Sequence, residues 1–348
     1  MPQLESLTLE LTERCNLNCV HCYINLHEND NLASKKEVSL YLWQQILLDG
    51  YKLGCRQLKI TGGEPLLRPD FIPLYTFAHK LGFSLSIATN ATLVNPRVVR
   101  CLLKYPPSQI YISIYGWDEL SYDLHTRTTG SFNRFLRGVR LLSNACLPVQ
   151  FRIPPSRNLV ENRHLIRSFS LKLSPTSDID VGWYLTKRAR PDEYQSRRIL
   201  EYRLSPSQAA DILIGNGIPS RKEHPTLVNK SCNSQIRLFA CKAGNVMSID
   251  AYGMLQLCIE MRHPSTLFNL LEHTLRDALA VHVPNMKSLV VTNRRYLQRC
   301  AVCKIRSLCY QCPGCSYSED GSLDNPVDYI CQVAHCSASK IGMLKRSI

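Results

Sequence analysis

The first half of the chain repeats one pattern of hydrophobic and polar positions: a short alternating run, a loop, and a longer segment with helical periodicity. Leu7, Leu9 and Leu11 alternate as in a half-buried strand, whereas Ile46 and Leu47 belong to a run spaced like one face of a helix. The pattern predicts six strands, which lie near residues 7–11, 57–61, 83–89, 109–114, 147–153 and 179–185.

Helix-length segments separate these strands, near residues 42–47, 70–81, 95–104, 131–146 and 160–173. Asp70 is placed as an N-cap and Gly82 as a C-cap, since these residue types favour those positions. Successive strand–helix units predict an α/β fold whose parallel sheet curls into a partial (β/α)6 TIM-like barrel.

The pattern weakens after the sixth strand. Residues 186–229 are polar and contain prolines, with one helix predicted to start near Ser205, and beyond Lys230 hydrophobic periodicity fades while cysteines accumulate. We therefore predict a barrel domain at residues 1–204, a linker with a bridging helix at 205–230, and a small cysteine-rich domain at 231–348 that metal centres hold together.

The chain of 348 residues contains sixteen cysteines, six in residues 1–174 and ten between Cys232 and Cys336. Its first residues lack the basic and apolar segments of a secretory signal, and no stretch approaches the roughly 18 apolar residues of a membrane span. These features predict a cytoplasmic protein that does not enter the membrane. In reducing cytosol, clustered cysteines indicate metal or iron–sulfur ligation rather than disulfides.

The charge is strongly basic, with 42 Lys and Arg against 28 Asp and Glu, a formal net charge of +14. The densest basic stretch, residues 187–203, also contains Asp192, Glu193 and Glu201, which indicates a solvated face or linker. The excess of positive charge is compatible with nucleic acid, an acidic lipid or an acidic peptide as the partner, and by itself it does not distinguish among them.

A cysteine loop follows the first strand directly: Cys15, Cys19 and Cys22 have the spacing C-x3-C-x2-C. Three thiolates at this spacing can hold three irons of a [4Fe–4S] cluster and leave the fourth iron open to an outside ligand. A zinc loop that takes its fourth ligand from elsewhere, such as His21, is the alternative interpretation of the spacing.

The second strand ends in Thr61-Gly62-Gly63-Glu64-Pro65. Because active sites of parallel barrels collect at the C-terminal ends of the strands, this glycine loop and the cysteine loop are expected to be neighbours. The glycines permit a ligand to approach the backbone closely, and a carboxylate beside them can accept hydrogen bonds from an ammonium group.

Together the two loops resemble the radical S-adenosylmethionine (SAM) superfamily, and the resemblance covers the six strands. It implies that Cys15, Cys19 and Cys22 hold a [4Fe–4S] cluster whose open iron is chelated by SAM. His21 stands where family members often have an aromatic residue. The implied SAM-binding residues are Tyr23, Gly62, Gly63, Glu64, Asn90, Ser113 and Arg127.

Three of these implied contacts follow later strands. Asn90 comes after the third strand, Ser113 ends the fourth, and Arg127 lies where a family arginine pairs with the methionine carboxylate. The sequence also allows simpler interpretations, since Asn favours plain turns and Arg127 fits an exposed helix position.

The second half of the chain contains a longer cysteine pattern. Cys241 and Cys258 are followed by Cys300-x2-Cys303-x5-Cys309-x2-Cys312, and Cys331 lies beyond. Thiolates at x2 spacing can grip one metal centre from a single turn, and distant cysteines can complete its coordination. A pair of zinc-ribbon-like sites is the alternative interpretation of the tail taken alone.

This arrangement resembles the SPASM extension, which houses two auxiliary [4Fe–4S] clusters behind the radical SAM domain of peptide and sulfatase maturases. The resemblance implies an outer cluster on Cys300, Cys303, Cys309 and Cys331. It implies an inner cluster on Cys241, Cys258 and Cys312, with Cys232 as the fourth ligand. The chain departs from the pattern at the x2 before Cys312, and Cys315 stands close enough to compete.

The cofactors implied are therefore SAM and three [4Fe–4S] clusters. Five cysteines are left outside the ligand sets. Cys55, Cys101 and Cys146 are expected to be buried core residues, whereas Cys315 and Cys336 have no assigned role.

The chemistry implied by the resemblance is reductive cleavage of SAM to methionine and a 5′-deoxyadenosyl radical, which abstracts hydrogen from an unactivated carbon of the substrate. SPASM relatives act mostly on ribosomally synthesised precursor peptides. A thioether or C–C crosslink, an epimerisation, and excision of a tyrosine-derived fragment that leaves a β-amino acid all stay open. A sulfatase-type protein maturase is the alternative enzyme.

The implied partners are a precursor peptide with its leader and an electron donor such as flavodoxin or ferredoxin. Many relatives carry an N-terminal winged-helix domain that grips the leader, but here Cys15 follows closely after Met1. We therefore expect a separate leader-binding partner protein, or binding of an acidic leader by the basic surface. A zinc-stabilised nucleic-acid-binding protein is the hypothesis from another class; with iron–sulfur clusters, nucleic acid is not expected as a partner.

Overall fold

The computed structural model describes residues 4–24, 26–175, 178–187, 192–217, 236–239 and 241–343. Its main element is a sheet in which the first six long strands lie side by side, each parallel to the next. These strands are β1 Ser6–Glu10, β2 Gln57–Thr61, β3 Ser84–Thr89, β4 Gln109–Ser113, β5 Val149–Ile153 and β6 Ile179–Val181. The predicted α/β fold with a parallel sheet is confirmed.

The last of these strands is shorter than predicted. The sequence predicts a strand to Leu185, but β6 ends at Val181. The Gly182 N–H still donates to the Ile153 carbonyl at 3.1 Å, and Gly182, Trp183 and Tyr184 line a cavity shared with the cysteine-rich tail. Packing against the tail therefore overrides the local β pattern.

Three further strands from the second half extend the same sheet: β7 Val246–Ile249, β8 Met254–Gln256 and β9 Phe268–Asn269. Strand β7 pairs in parallel with β1, and β8 and β9 follow antiparallel. Sequence analysis, which found that hydrophobic periodicity fades beyond Lys230, did not detect these strands. Strands this short contain too few alternations to give a recognisable period.

Helices follow the strands, and all six predicted helical segments are found, whereas the other helices were not predicted. They are α1 Asn31–Lys36, α2 Leu40–Lys52, α3 Phe71–Leu81, α4 Pro96–Lys104, α5 Glu119–Thr126, α6 Ser131–Asn144, α7 Arg157–Glu161, α8 Arg163–Leu173, α9 Glu193–Glu201, α10 Pro206–Gly215, α11 Leu275–Asp277, α12 Val283–Ser288, α13 Pro313–Asp320 and α14 Asp328–Lys340. A π-helical segment, Ala278–His282, joins α11 to α12. Within the described ranges no helix combines the length and apolar composition that crossing a membrane requires.

Two local predictions need correction. Helix α9 was not predicted; Asp192 caps it by accepting a hydrogen bond from the Gln195 N–H. Asp70 does precede α3, but its carboxylate makes no cap bond because it pairs with Arg68 at 2.6 Å. The C-cap is confirmed, since Gly82 has φ +98°, a left-handed conformation that favours glycine.

The core lies between the helices and one face of the sheet. Leu7 and Leu9 of β1 and Leu58 and Ile60 of β2 are fully buried on this face. A Cβ added to Gly50 in α2 would lie 2.9 Å from Leu7, which shows how closely helix and sheet approach. Since strand side chains alternate, the residues between these apolar positions point to the opposite face.

The bridging helix α10 is packed on the tail. Ala209 and Leu213 of α10 share a buried cluster with Val333 of α14. The Tyr329 hydroxyl of α14 donates to the Leu204 carbonyl at 3.1 Å. These contacts tie the end of the predicted linker to the last described helix.

Candidate active site

The cysteine loop lies directly after β1. Cys15 and Cys19 are buried and Cys22 is half-buried, and the Cys22 N–H donates to the Cys19 carbonyl at 3.2 Å. Burial raises the pKa of the Cys19 thiol, and the neighbouring Cys22 and Cys15 thiols raise it further. The structure therefore brings the three predicted ligands of the SAM cluster together.

The end of helix α5 supports this loop. The Val20 N–H donates to the His125 carbonyl and the Asn18 N–H to the Thr126 carbonyl, both at 3.0 Å. Arg127, at the left-handed C-cap of α5 with φ 48°, donates from Nε to the Asn18 carbonyl at 2.8 Å. Arg127 is thus half-buried against the cysteine loop rather than free on a helix surface.

Two histidines meet behind the loop. His21 Nδ1 lies 2.8 Å from His125 Nε2, and both rings lie 5.6 Å from the Tyr115 ring. Burial lowers the pKa of His21 to about 4, so it is neutral at physiological pH and one ring must donate to the other. Sequence analysis missed His125, because its spacing from the cysteines carries no recognisable motif.

The glycine loop lies against the start of the cysteine loop. The Gly63 N–H donates to the Thr12 carbonyl at 2.7 Å, and the Glu64 N–H donates to the Arg14 carbonyl at 3.0 Å. Gly62 has φ +143°, and a Cβ on it would lie 2.3 Å from the Thr12 carbonyl oxygen. Glycine is therefore required for the two loops to approach this closely.

Gly63→Ala should destabilise the folded protein by about 2–3 kcal/mol, because the new Cβ would lie 2.4 Å from the Arg14 carbonyl oxygen. The backbone of Gly63 is not in the left-handed region, so the effect is steric. The matched control is Gly215→Ala at the exposed end of α10, where a Cβ meets nothing within 4 Å. Urea denaturation should place this control within about 1 kcal/mol of the parent; equal effects would contradict the clash.

Glu64 connects the glycine loop to the end of β3. It is fully buried, and its carboxylate accepts hydrogen bonds from the Asn90 N–H and the Thr89 hydroxyl, each at 2.8 Å, and from the Leu66 N–H at 3.1 Å. Burial raises the pKa of Glu64 to about 7 against the effect of these bonds. Sequence analysis predicted that Glu64 accepts from a ligand ammonium; in the structure both of its oxygens accept from the chain.

Asn90 in turn contacts the cysteine loop. Its Nδ2 donates to Asn16 Oδ1 at 3.1 Å and lies 3.7 Å from Cys15 Sγ. Its Oδ1 accepts from the Thr92 N–H at 2.9 Å. Asn90 is therefore more than a turn residue, since it links the ends of β1 and β3.

The remaining two predicted SAM contacts are Ser113 and Tyr23. Ser113, at the end of β4, is half-buried and hydrogen-bonded to Tyr115. The Arg262 guanidinium lies 5.4 Å above the Tyr23 ring and pairs with buried Glu10 at 2.6 Å. Tyr23 thus faces a charged pair that joins β1 to the tail.

The predicted outer set of cysteines surrounds one small cavity. Cys300, Cys303, Cys309 and Cys331 all line a cavity of about 70 Å³. Burial raises the pKa of Cys309, and the Cys331 thiol raises it further. Four thiols from three separate chain segments therefore face one space.

The predicted inner set lies at a larger cavity. Cys241, Cys312 and Cys315 line a space of about 420 Å³. Burial raises the pKa of Cys258 to about 12, with a further contribution from Cys312, which shows that it lies in the same group. Cys232, the fourth predicted ligand, lies outside the described residues.

Cys315 is closely associated with Cys312. It is buried, and its N–H donates to Cys312 Sγ at 3.3 Å, so that Cys312 caps helix α13. The Cys315 thiol is also hydrogen-bonded to Cys312 and to Tyr184. Cys315 therefore contacts Cys312, one of the predicted ligands of the inner cluster, through hydrogen bonds.

The four cysteines outside the predicted ligand sets, apart from Cys315, differ in how far they are exposed to solvent. Cys55 is fully buried, as predicted, and Cys101 is half-buried beside Thr76. Cys146 is exposed, so its prediction as a core residue was wrong; it follows α6 in a left-handed conformation with φ 53°. Cys336 is half-buried against the cluster that joins α10 to α14.

Comparison with known proteins identifies the first half of the chain. Residues 9–159 match the radical SAM superfamily, and this range contains the cysteine loop, the glycine loop, Asn90, Ser113 and Arg127. The chain contains a radical SAM domain.

About half of the chain or less aligns with each of two curated relatives. The AdoMet-dependent heme synthase of Methanosarcina barkeri (strain Fusaro / DSM 804) is 32% identical over 184 residues, which are 53% of this chain and 51% of that protein. The mycofactocin maturase MftC of Mycolicibacterium smegmatis (strain ATCC 700084 / mc(2)155) is 34% identical over 141 residues, 40% of this chain and 34% of that protein. The chain thus spans about half the length of these relatives or less.

Two solved structures share the fold well beyond the radical SAM domain. Streptococcus suis SuiB bound to S-adenosylmethionine has a TM-score of 0.64 at 18% identity, over 93% of this chain and 76% of SuiB. Native anSMEcpe with bound AdoMet has a TM-score of 0.64 at 16% identity, over 97% of each chain. SuiB has also been solved with its precursor peptide SuiA. At these identities the likeness establishes the fold alone.

The residues of the radical SAM domain fit a thiolate-bound cluster. Cysteine thiolates are the ligands that iron–sulfur clusters take, and the three thiols of the loop after β1 lie near one another, with Cys15 Sγ 3.7 Å from Asn90 Nδ2 at the end of β3. The two cavities of the tail add thiol-lined spaces of different size. Among the described side chains, no three of Cys, His, Asp and Glu are close enough to enclose a single metal ion.

Proposed function

We propose that the chain is a radical SAM maturase that modifies a ribosomally synthesised precursor peptide. The observation that carries the proposal is the pair of thiol-lined cavities behind a radical SAM domain. The fold, shared over nearly the whole chain with SuiB and anSMEcpe, supports it. In SuiB this fold binds a precursor peptide.

Cys15, Cys19 and Cys22 would hold the [4Fe–4S] cluster of the domain, and SAM would bind at Tyr23, Gly62, Gly63, Glu64, Asn90, Ser113 and Arg127. Bound there, SAM supplies hydrogen-atom abstraction from an unactivated C–H bond of the substrate. The chain's own contribution is positioning, because a reactive group must meet one C–H bond and no other.

The hydrogen bonds around Glu64 supply that positioning. Glu64 joins the glycine loop to Asn90, and Asn90 joins the end of β3 to the cysteine loop. These residues are buried, so their geometry depends little on solvent. The rings of His21, Tyr115 and His125 pack together beside the loop, and all three are buried or nearly so, which would limit the access of water there.

Two auxiliary [4Fe–4S] clusters are proposed for the tail. Cys300, Cys303, Cys309 and Cys331 would hold the outer one. The inner one would use Cys232, Cys241, Cys258 and Cys312. Such clusters would supply electron transfer with the substrate or a binding position for it. An electron donor such as flavodoxin or ferredoxin and a separate leader-binding protein would be the partners of the chain.

Iron content should separate the two cysteines that compete for the fourth position of the inner cluster. Cys232→Ser should lower the iron content by about four atoms per chain, whereas Cys315→Ala should leave it at the parent value. The reason is that Cys315 already bonds to Cys312 through its N–H and thiol, the position of a supporting residue. Anaerobic iron and sulfide analysis measures both. Iron loss in Cys315→Ala but not in Cys232→Ser would exchange the two roles.

Mass spectrometry of a co-expressed precursor peptide tests the proposal itself. The small open reading frames neighbouring the gene supply the candidate peptides. Loss of two hydrogens would identify a crosslink, unchanged mass with deuterium uptake an epimerisation, and a large loss the excision of a tyrosine-derived fragment that leaves a β-amino acid. Unmodified peptides from a preparation that cleaves SAM, in the presence of the neighbouring proteins, would overturn the peptide substrate.

A sulfatase-type protein maturase is the second candidate enzyme, and it requires an acidic general base. Glu10 at the end of β1 is buried, and its Oε2 has no hydrogen-bond partner among the described residues. Burial raises the pKa of Glu10 against the opposing charge of Arg262. Oxidation of a cysteine or serine in a supplied sulfatase peptide, lost in Glu10→Gln with SAM cleavage retained, would favour this candidate.

A further inference from the structure

Three polar side chains share the sheet face opposite the helices. Lys59 lies between buried Leu58 and Ile60 in β2, Tyr111 between Ile110 and Ile112 in β4, and Arg152 between Phe151 and Ile153 in β5. The apolar neighbours occupy the helix-covered face. Because side chains alternate along a strand, Lys59, Tyr111 and Arg152 point to the other face, which in a barrel is the interior.

Two cations meet at one aromatic ring on this face. The Arg152 guanidinium carbon lies 3.7 Å from the centre of the Tyr111 ring, and Lys59 Nζ lies 5.3 Å from the same centre. The ring face attracts both cations and holds them near each other. The three residues therefore form a preorganised basic group, which we call the basic pair on Tyr111.

The basic pair on Tyr111 has more positive than negative charge. Asp180 is its nearest acidic neighbour, 3.6 Å from Arg152 Nε and about half exposed. Lys59 makes no hydrogen bond or ion pair with any residue in the part of the chain that the structure describes, and Arg152 Nε is buried without a hydrogen bond. One cation is therefore left without a counter-charge.

This surplus is unfavourable in the absence of a ligand. Burial lowers the pKa of Lys59 to about 8, and the nearby charge of Arg152 lowers it further against the effect of Asp180. Lys59 nevertheless stays mostly protonated at neutral pH. Since two like charges are held together in a partly buried place, an anion placed between them would be bound favourably.

The basic pair on Tyr111 also lies close to the proposed SAM site. Lys59 precedes the glycine loop by two strand positions, a distance of roughly 7 Å along the strand. Arg152 is the register partner of Ser113, one of the predicted SAM contacts. An anionic group held here would place the adjoining part of its molecule beneath the cysteine and glycine loops.

We propose that Lys59 and Arg152 bind a carboxylate group of the substrate, with Tyr111 as the platform that orients both cations. The choice of a carboxylate rests on the proposed peptide substrate, because side chains and the C-terminus of a peptide supply carboxylates. The binding of an oxyanion as such rests only on the geometry of the basic pair.

Amine acylation of the whole protein, read by peptide mass spectrometry, tests the proposal. Lys59 should be acylated roughly threefold more slowly in sodium acetate than in sodium chloride of equal ionic strength, since the bound carboxylate covers its amine. Lys104 is the matched control: it also lies over a tyrosine ring, 5.5 Å from the centre of Tyr105, but is exposed and has no arginine partner there. Its acylation should not change between the two salts.

The outcomes separate this inference from the proposed function. In Arg152→Gln the difference between acetate and chloride should disappear at Lys59, because one of the two cations is lost. If inorganic phosphate but not acetate slowed the acylation of Lys59, the proposal that the site binds a carboxylate would be overturned, and a peptide would not be its occupant. Protection by neither anion would overturn the oxyanion site, while the mass-spectrometric test of peptide modification would keep its own result.

Discussion

Cys19→Ser should reduce the cleavage of SAM to background and remove about four iron atoms per chain. Cys19 lies at the centre of the cysteine loop, is buried, and interacts with both other thiols of the loop. A hydroxyl is a poor ligand for iron, and two remaining thiolates do not hold a cluster that needs three. Anaerobic iron analysis and chromatography of 5′-deoxyadenosine after chemical reduction measure the two effects.

Cys101→Ser is the control for this experiment. Cys101 is a half-buried thiol of the same domain, lies 3.8 Å from the Thr76 hydroxyl, and belongs to none of the predicted ligand sets. It should keep the iron content and SAM cleavage of the parent. If Cys19→Ser retained its iron, or Cys101→Ser lost as much, the loop would not be the cluster site.

Arg203→Met should lower the free energy of unfolding by about 3–4 kcal/mol, the second largest effect expected, because the half-buried Glu319 carboxylate then keeps only Lys187 at 3.1 Å and the Tyr184 hydroxyl at 2.8 Å as partners. Arg203 donates to Glu319 at 2.7 Å and to the Leu185 carbonyl at 2.6 Å. Its guanidinium also lies 5.2 Å from the centre of the Tyr184 ring and 4.8 Å from that of Tyr329. The pair joins the segment after β6 to helix α13 of the tail.

Glu319 should make this stabilisation depend on pH. Burial alone would raise the pKa of Glu319, but the hydrogen bond and charge of Arg203, with Tyr184 and Lys187, bring it below the ordinary value of 4.5. A carboxylate with a lowered folded-state pKa stabilises the fold above its unfolded pKa, and this contribution is lost as pH falls through the folded value. In Arg203→Met, where the pKa is no longer lowered by the arginine, the loss should begin at higher pH.

Urea denaturation under anaerobic conditions at several pH values measures both effects. Arg197→Met is the matched control, because Arg197 pairs with Glu193 at 3.0 Å on the exposed face of α9, with side chains 77% and 88% exposed. It should cost less than about 1 kcal/mol. Adding Glu319→Gln to Arg203→Met should recover part of the loss; a double variant as unstable as the sum of the single variants would show that the pair does not interact.

Local patterns in the sequence predicted much of the fold. The alternation in β2, β3 and β4 sets buried residues on one face, and each of these strands was found close to its predicted position. The cap at Gly82 was found because glycine adopts a left-handed conformation at little cost. Strands β7 to β9 were missed, since their pairing partners are distant in sequence and their own patterns are short.

In the candidate site, too, residues close together in sequence were predicted, whereas a residue distant in sequence was missed. The residues of the cysteine loop lie within eight positions, so a single turn brings them together and their spacing alone reveals them. His125, by contrast, contacts the loop only because α5 ends beside it. Nothing in the sequence marks it, because a histidine on a helix is usually a packing residue.

The amino-acid sequence by itself determined the alternating strands, the cysteine and glycine loops and the segregation of the other thiols into the tail, since each depends on residues close together in the chain. Only the tertiary structure decided which distant groups meet. It placed four tail thiols around one cavity, Arg203 against Glu319, and Lys59 with Arg152 on Tyr111. The physical reason is that strand register and helix packing set such contacts, and both are properties of the whole sheet rather than of any segment.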